Sequence, residues 1–108
     1  SSTKLFFNPS TGSLNSTEYN TLSDITYKED IRTIEDSLDI LSKINTYSFK
    51  WKDTGSKSYG VMAQELEESM PELINNSDGK KFVNYTPLIS ILVQGYKDLL
   101  DRIDQLEK

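Results

Sequence analysis

The chain has 108 residues, a net charge of −5 at pH 7, a hydrophobic fraction of 35%, and neither histidine nor cysteine. Such a length suits one domain with a modest core, too small for an elaborate enclosed active site. The missing residue types exclude thiol chemistry and a histidine-assisted serine, and the acidic balance argues against nucleic acid, which needs a clustered basic face.

Residues 1–22 differ from the rest of the chain because they are rich in serine, threonine and asparagine. A turn cluster at residues 8–12 separates an apolar run at residues 5–7 from Leu14. This pattern predicts a short β-hairpin, or the end of a larger β-structure that belongs to a longer protein. An unstructured tail is the alternative.

Ser23 precedes Lys28 by five residues. In a chain without histidine and cysteine, a serine–lysine pair is the favoured route to acyl chemistry, although this spacing alone is common. A regular strand would hold residues five apart about 16 Å from each other, and a helix would rotate them about 140° apart. The sequence therefore predicts a turn between them, or a lysine supplied by a neighbouring chain. A surface serine and lysine that flank a loop are the alternative.

The middle of the chain predicts short helices and β-hairpins. A helix is expected to begin near Thr33, where residues 33–36 resemble a capping box, and to end at Asn45. Alternation of aromatic and polar residues over 47–52 predicts a strand with a half-buried face, and residues 59–62 predict its partner. Residues 63–70 predict a helix, and residues 73–74 and 82–85 predict a hairpin. An aromatic ligand platform and a hydrolase built on Glu65 and Glu68 are weaker alternatives.

The last segment predicts a long helix over residues 87–108, with Thr86 as its cap and Pro87 in its first turn. Apolar residues recur there in steps of three and four, which is typical of a coiled-coil seam, and we expect self-association. No stretch is apolar enough to predict a membrane-spanning helix. The residues of this seam are Ile89, Leu92, Tyr96, Leu99, Ile103 and Leu106. The seam does not by itself determine how many chains associate.

Five short motifs occur along the chain in an order that is fairly specific to one protein family. In chain order, the motifs are Ser23-Asp24 with Lys28, Tyr47-Ser48-Phe49-Lys50-Trp51-Lys52, Tyr59-Gly60-Val61-Met62-Ala63-Gln64-Glu65, Met70-Pro71-Glu72-Leu73 and Val83-Asn84-Tyr85. Over residues 20–108 the chain resembles the endosialidase-type intramolecular chaperone domain. That domain is the self-cleaving C-terminal module of phage tail spikes, tail fibres and neck appendages, and a related domain occurs in myelin regulatory factor. Family members usually carry a basic residue two or three positions after the Ser-Asp pair, where this chain has Ile25, Thr26 and Tyr27.

The resemblance implies an α+β domain over residues 23–108, with a small helix, β-hairpins and a C-terminal helix over 87–108 that forms a homotrimeric coiled-coil bundle. Residues 1–22 would be the end of an upstream β-fibre. Ser23 would be the nucleophile that attacks the carbonyl of Leu22, Lys28 the general base, and Asp24 a supporting, orienting residue. The domain would trimerise, assist folding and assembly of the fibre, and then release itself by single-turnover cleavage between Leu22 and Ser23.

This mechanism makes a physical demand on Lys28, which must be desolvated or lie near other positive charge to accept a proton. Glu29 and Asp30 oppose this unless the fold directs them elsewhere. The implied partners are two identical copies and the upstream fibre domain of the same polypeptide, and no cofactor, metal, nucleic acid or membrane is expected.

The resemblance also implies a location, that of a virion tail or appendage precursor made in the host cytoplasm, with the chaperone released on maturation. A non-cleaving trimerisation module of the same fold is the first alternative. The assembly domain of a membrane-associated transcription regulator is a second, and the fibre-like residues 1–22 argue against it.

Overall fold

A computed structural model describes residues 5–108, which form an α+β arrangement of short antiparallel hairpins and helices. The chain divides into two compact units, of which the first ends at Arg32 and the second is Thr33–Lys108. The expected α+β class, with β-hairpins and a long C-terminal helix, is confirmed.

The first unit begins with a hairpin, in which β1 (Leu5–Asn8) pairs antiparallel with β2 (Ser13–Ser16) and Phe7 lies opposite Leu14. Gly12 closes the turn with φ of 75°, a conformation that glycine adopts without steric cost, and its amide donates to the Asn8 carbonyl at 2.8 Å. The Tyr19 hydroxyl donates back to the Leu14 carbonyl. The predicted hairpin is therefore confirmed where it is described, and residues 1–4 of the predicted segment lie outside the described residues.

The second unit contains the remaining helices and hairpins. In order along the chain, these are α1 (Ser37–Ser42), β3 (Tyr47–Lys50), β4 (Lys57–Gly60), α2 (Ala63–Ser69), a 3₁₀ turn (Pro71–Leu73), β5 (Ile74–Ser77), β6 (Lys80–Val83) and α3 (Thr86–Glu107). Each hairpin is a separate two-stranded sheet. Asp78 and Gly79, with φ of 56° and 72°, join β5 to β6 as expected for an Asp-Gly hairpin turn.

Several predicted boundaries are wrong. Helix α1 ends at Ser42 rather than at Asn45, β3 ends at Lys50 rather than at residue 52, and β6 lies two residues earlier than the predicted 82–85. Helix α3 begins at Thr86, and its N-cap is Tyr85 rather than Thr86.

The first helix begins at Ser37 rather than near Thr33, because Asp36 adopts a left-handed conformation (φ 59°) that no preceding helix could continue through. β4 lies two residues earlier than expected, since Gly55 (φ 73°) turns the chain sharply and Met62 is needed as the residue before α2. Leu73 belongs to the 3₁₀ turn, so β5 starts only at Ile74.

The core of the second unit lies between α2, the β5–β6 hairpin and the first half of α3. Its buried members are Leu66, Leu73, Ile74, Leu88 and Ile91. Helix α1 packs on α3 at a close approach, because a Cβ added at Gly95 would overlap Leu41 Cδ1. Glycine at residue 95 therefore leaves room for the Leu41 side chain of α1 against α3.

A buried polar contact fixes the start of α1 on α3. Ser37 is fully buried, and its Oγ donates to Asp98 Oδ2 at 2.5 Å, while Gln94 Nε2 donates to Asp98 Oδ1 at 3.0 Å. These hydrogen bonds, that of Ser37 first, hold the pKa of Asp98 below its ordinary value. A carboxylate stabilised in this way favours the folded state above its unfolded pKa of about 3.9, and the benefit is lost as the pH falls through the folded pKa.

We therefore expect Ser37→Ala to lower the thermal midpoint by a few degrees at pH 7 and by less in acid, where Asp98 is protonated in both proteins. Circular dichroism melts at one protein concentration, at pH 7 and at a pH well below the unfolded pKa of about 3.9, measure the difference. Ser42→Ala is the matched control, since the Ser42 hydroxyl donates only to the Asp39 carbonyl within α1. An equal deficit at both pH values would contradict the assignment.

Candidate active site

A tight turn lies between Ser23 and Lys28, as the spacing predicts. Ile25–Tyr27 form one turn of 3₁₀ helix with Asp24 as its N-cap. The Tyr27 amide donates to the Asp24 carbonyl and the Lys28 amide donates to the Ile25 carbonyl, both at 3.1 Å. These two backbone bonds reverse the chain direction over five residues, and the predicted turn is confirmed.

The turn brings Ser23 and Lys28 into contact within one chain. Lys28 Nζ donates to Ser23 Oγ at 2.7 Å, a distance suited to proton transfer between a nucleophile and its base. The same line of atoms can carry a hydrogen bond in the reverse direction, from the serine hydroxyl to a neutral amine. Both residues are exposed to solvent in the single chain.

Asp24 is engaged by the turn itself. Its Oδ1 accepts hydrogen bonds from the Thr26 amide at 3.0 Å and from Thr26 Oγ1 at 2.9 Å. These bonds, that of the backbone amide first, hold the pKa of Asp24 below its ordinary value. Its expected orienting role stays a prediction, and Thr26 is a residue that the sequence argument missed. The Asp-x-Thr spacing, typical of an Asx turn, was the signal that could have identified it.

The acidic residues after the turn do not pair with Lys28. Within residues 5–108, no carboxylate oxygen lies within 4.0 Å of Lys28 Nζ. Asp30 adopts φ of 53°, so the chain changes direction directly after Glu29. Leu22, the residue before Ser23 at the expected cleavage site, has a side chain that is 73% exposed. Within the described residues, the carboxylates near Lys28 in the sequence therefore form no ion pair with it.

The seam residues of α3 lie on the surface of the single chain. All six, from Ile89 to Leu106, are exposed, by between 44% for Ile103 and 86% for Leu106. A different stripe of the helix, Leu88, Ile91 and Gly95, is buried against its own unit. Helix α3 therefore has two apolar faces, one used by the domain core and one without a partner in the single chain.

The alternative sites receive less support from the geometry. Glu65 accepts hydrogen bonds from the Tyr47 hydroxyl at 2.8 and 3.0 Å, which ties β3 to α2 and raises the pKa of Tyr47. The aromatic strand is more exposed than expected, since Trp51 is 55% exposed and lines an open groove with Phe49 and Tyr85. No cluster of three metal-ligating side chains and no helix able to cross a membrane occurs in the described part of the chain.

Residues 23–75 match the model of a peptidase family described as chaperone of endosialidase. The chain belongs to the chaperone-of-endosialidase family. The match begins at Ser23, the residue that Lys28 contacts. Because the family is a peptidase family, membership implies self-cleaving peptidase activity in general.

A curated relative of this family member is the long tail fiber protein Gp37 of Salmonella phage S16. The two are 30% identical over 109 residues, which cover 90% of this chain. The chain spans 15% of the length of that relative. The similarity therefore extends beyond residues 23–75 into both the N-terminal hairpin region and α3, because 90% coverage of 108 residues cannot be reached without them.

Proposed function

We propose that this chain is the intramolecular chaperone of a phage tail-fibre, tail-spike or appendage protein, and that it trimerises and then cuts itself between Leu22 and Ser23. The observation that carries the proposal is the 2.7 Å contact between Lys28 Nζ and Ser23 Oγ at the first residue of the family match. The similarity to a phage long tail fiber protein supports the fibre as the upstream partner and the virion tail as its location.

The proposed reaction begins with neutral Lys28, which takes the proton of the Ser23 hydroxyl as Oγ attacks the carbonyl carbon of Leu22. The tetrahedral intermediate collapses by breaking the bond from that carbon to the Ser23 nitrogen, which receives the proton from the Lys28 ammonium. An ester then joins the Leu22 acyl group to Ser23 Oγ. Water, deprotonated by the Lys28 amine, attacks the ester carbon, and the bond from that carbon to Ser23 Oγ breaks. Ser23 Oγ takes the proton back from the Lys28 ammonium, which leaves a carboxylate at Leu22 and a free hydroxyl and amine at Ser23.

Exposure of the Ser23–Lys28 pair connects this chemistry to assembly. A lysine acts as a general base where it is desolvated or lies near other positive charge, and the single chain leaves Lys28 exposed. Covering the turn would remove the surrounding water and favour the neutral amine. We propose that association with two further copies supplies the cover, so that cleavage follows trimerisation.

The width of the exposed apolar face of α3 supports more than two chains. Besides the six seam residues, Val93 and Leu100 are 57% and 46% exposed, and each lies one position after a seam residue. At 100° per residue the exposed apolar residues span roughly 140° of the helix circumference. A two-stranded coiled coil buries a narrower stripe, whereas each helix of a three-helix bundle contacts two neighbours.

The chaperone role follows from how intertwined fibres fold. Contacts between distant parts of three chains form slowly, because the chains must first be held together in register. A C-terminal bundle raises their effective concentration and aligns them. Removing the bundle afterwards takes away the element through which unfolding could reverse assembly, and the fibre becomes kinetically trapped.

Intact mass and N-terminal sequencing of the purified chain, after incubation at neutral pH, test the proposal. We expect one fragment that ends in Leu22 and one that begins with Ser23. If hydroxylamine is added during the incubation, it should attack the ester intermediate, so that part of the first fragment ends in the Leu22 hydroxamate. Sedimentation of the same sample should give three copies of the larger fragment. A stable trimer that remains uncut would establish the non-cleaving alternative, and a well-folded monomer at high dilution would overturn both.

A further inference from the structure

Thr26 holds the Asp24 carboxylate with two of its own polar groups. Oδ1 of Asp24 accepts from the Thr26 amide at 3.0 Å and from the Thr26 hydroxyl at 2.9 Å. The amide bond would form with any non-proline residue at this position in the same turn. The hydroxyl bond requires serine or threonine, and it is the part that the side chain contributes.

The placement of Asp24 matters because this carboxylate is the acidic group adjacent to Ser23. A carboxylate that paired with Lys28 would stabilise the protonated ammonium and oppose its use as a base. In the described structure the Asp24 carboxylate lies on Thr26 and makes no ion pair with Lys28. The turn that Asp24 caps also carries Lys28 to Ser23, so a loosened cap would relax both arrangements together.

We propose that Thr26 is a positioning residue for self-cleavage, whose hydroxyl restrains the Asp24 carboxylate on the turn and away from Lys28. The role rests on the proposed function, since it has a kinetic meaning only if Ser23 and Lys28 cut the chain. Thr26 does not touch the reacting atoms, and it acts through Asp24. The lowered pKa of Asp24 agrees with a carboxylate that is held by hydrogen bonds.

The kinetic test compares cleavage rates of the full chain carrying Thr26→Val, Thr26→Ser, Asp24→Asn, and Asp24→Asn with Thr26→Val. We expect Thr26→Val, which preserves shape and removes the hydroxyl, to slow cleavage about tenfold, a typical effect of losing one hydrogen bond to a charged group. Thr26→Ser should cleave at nearly the parental rate. In the Asp24→Asn background, where no charge can pair with Lys28, Thr26→Val should cause little further loss.

Two results would overturn the proposal. One is an unchanged rate for Thr26→Val. The other is a rate loss of equal size in the presence and absence of the Asp24 charge, since that would indicate only a structural contribution to the turn.

A second measurement does not depend on cleavage. In the uncut Ser23→Ala chain, nuclear magnetic resonance follows the titration of the Asp24 carboxyl, and Thr26→Val should raise its pKa relative to Thr26→Ser. The other ionisable groups nearby in the sequence, Tyr27, Lys28, Glu29 and Asp30, are the same in both variants. An identical Asp24 pKa in the two variants would overturn the role of the hydroxyl. A parental chain that is never cut, combined with the expected Asp24 pKa change, would instead refute the proposed function alone.

Discussion

Replacement of Ser23 by alanine is expected to abolish the fragment that begins at residue 23, while the chain still folds and associates. The alanine chain has no oxygen to form the ester with the Leu22 acyl group. Loss of the nucleophile in serine hydrolases costs on the order of a millionfold in rate, so no product should form over days. Intact mass measured over that period checks the result. Ser10→Ala, which removes an exposed hydroxyl from the β1–β2 turn, is the control and should cleave normally.

Replacement of Lys28 should slow cleavage about as much as replacement of Ser23. Two different replacements distinguish a lysine that accepts a proton from one that only supplies positive charge. Lys28→Met retains the length of the side chain without an amine. Lys28→Arg retains a donor and a positive charge but remains protonated at neutral pH, so it cannot accept the serine proton. We expect both variants to remain uncut. Cleavage by the arginine variant at a substantial rate would show that positive charge rather than proton transfer is needed, and cleavage in both Ser23 and Lys28 variants would refute the dyad.

Leu99→Asp is expected to convert the proposed trimer into monomers and to prevent cleavage at the same time. Leu99 lies on the seam and is 49% exposed in the single chain, so a charge there is tolerated by the monomer but would be buried in the bundle. Association buries only the exposed half of Leu99, so its loss costs about 1 kcal/mol per chain, and burying the carboxylate in its place adds about as much or more. For three chains the sum of about 6 kcal/mol lowers the association constant roughly ten-thousandfold. Sedimentation across a dilution series measures the change.

Gln105→Asp is the matched control for the seam variant. It adds the same charge to the same helix at an exposed position, on a face away from the seam. We expect it to remain trimeric and to cleave. If Leu99→Asp were monomeric but cut itself at the parental rate, assembly would not supply the cover for Lys28, and the proposed link between trimerisation and cleavage would fail.

Local patterns were enough to predict the features that depend on neighbouring residues. At a spacing of five residues, Ser23 and Lys28 of one chain can touch only if the segment turns. The sequence therefore predicted a turn or a lysine from a neighbouring chain, and the 3₁₀ turn confirms the first. The steps of three and four along α3 predicted a long helix, and the Asp78-Gly79 pair predicted a hairpin turn. These signals are local because turn and helix conformations depend on residues a few positions apart.

Features that depend on distant contacts were not predictable from a single sequence. The first residue of α1 is held against α3 by the bond from Ser37 to Asp98, which are 61 positions apart, and no local motif encodes that contact. The periodicity of α3 also did not predict that Leu88 and Ile91, which lie beside the exposed seam, are buried in the core of the second unit. The hydrogen bond from Thr26 was local, but the Asp-x-Thr pattern is common and gained meaning only from the nearby Ser23–Lys28 contact.

The hydroxyl of Tyr19, hydrogen-bonded to the Leu14 carbonyl, anchors the chain just before the proposed cut. After scission at Leu22–Ser23, only Asn20, Thr21 and Leu22 would extend past that anchor. In the proposed product, this hydrogen bond would therefore lie close to the new carboxyl terminus and would limit fraying of the hairpin there.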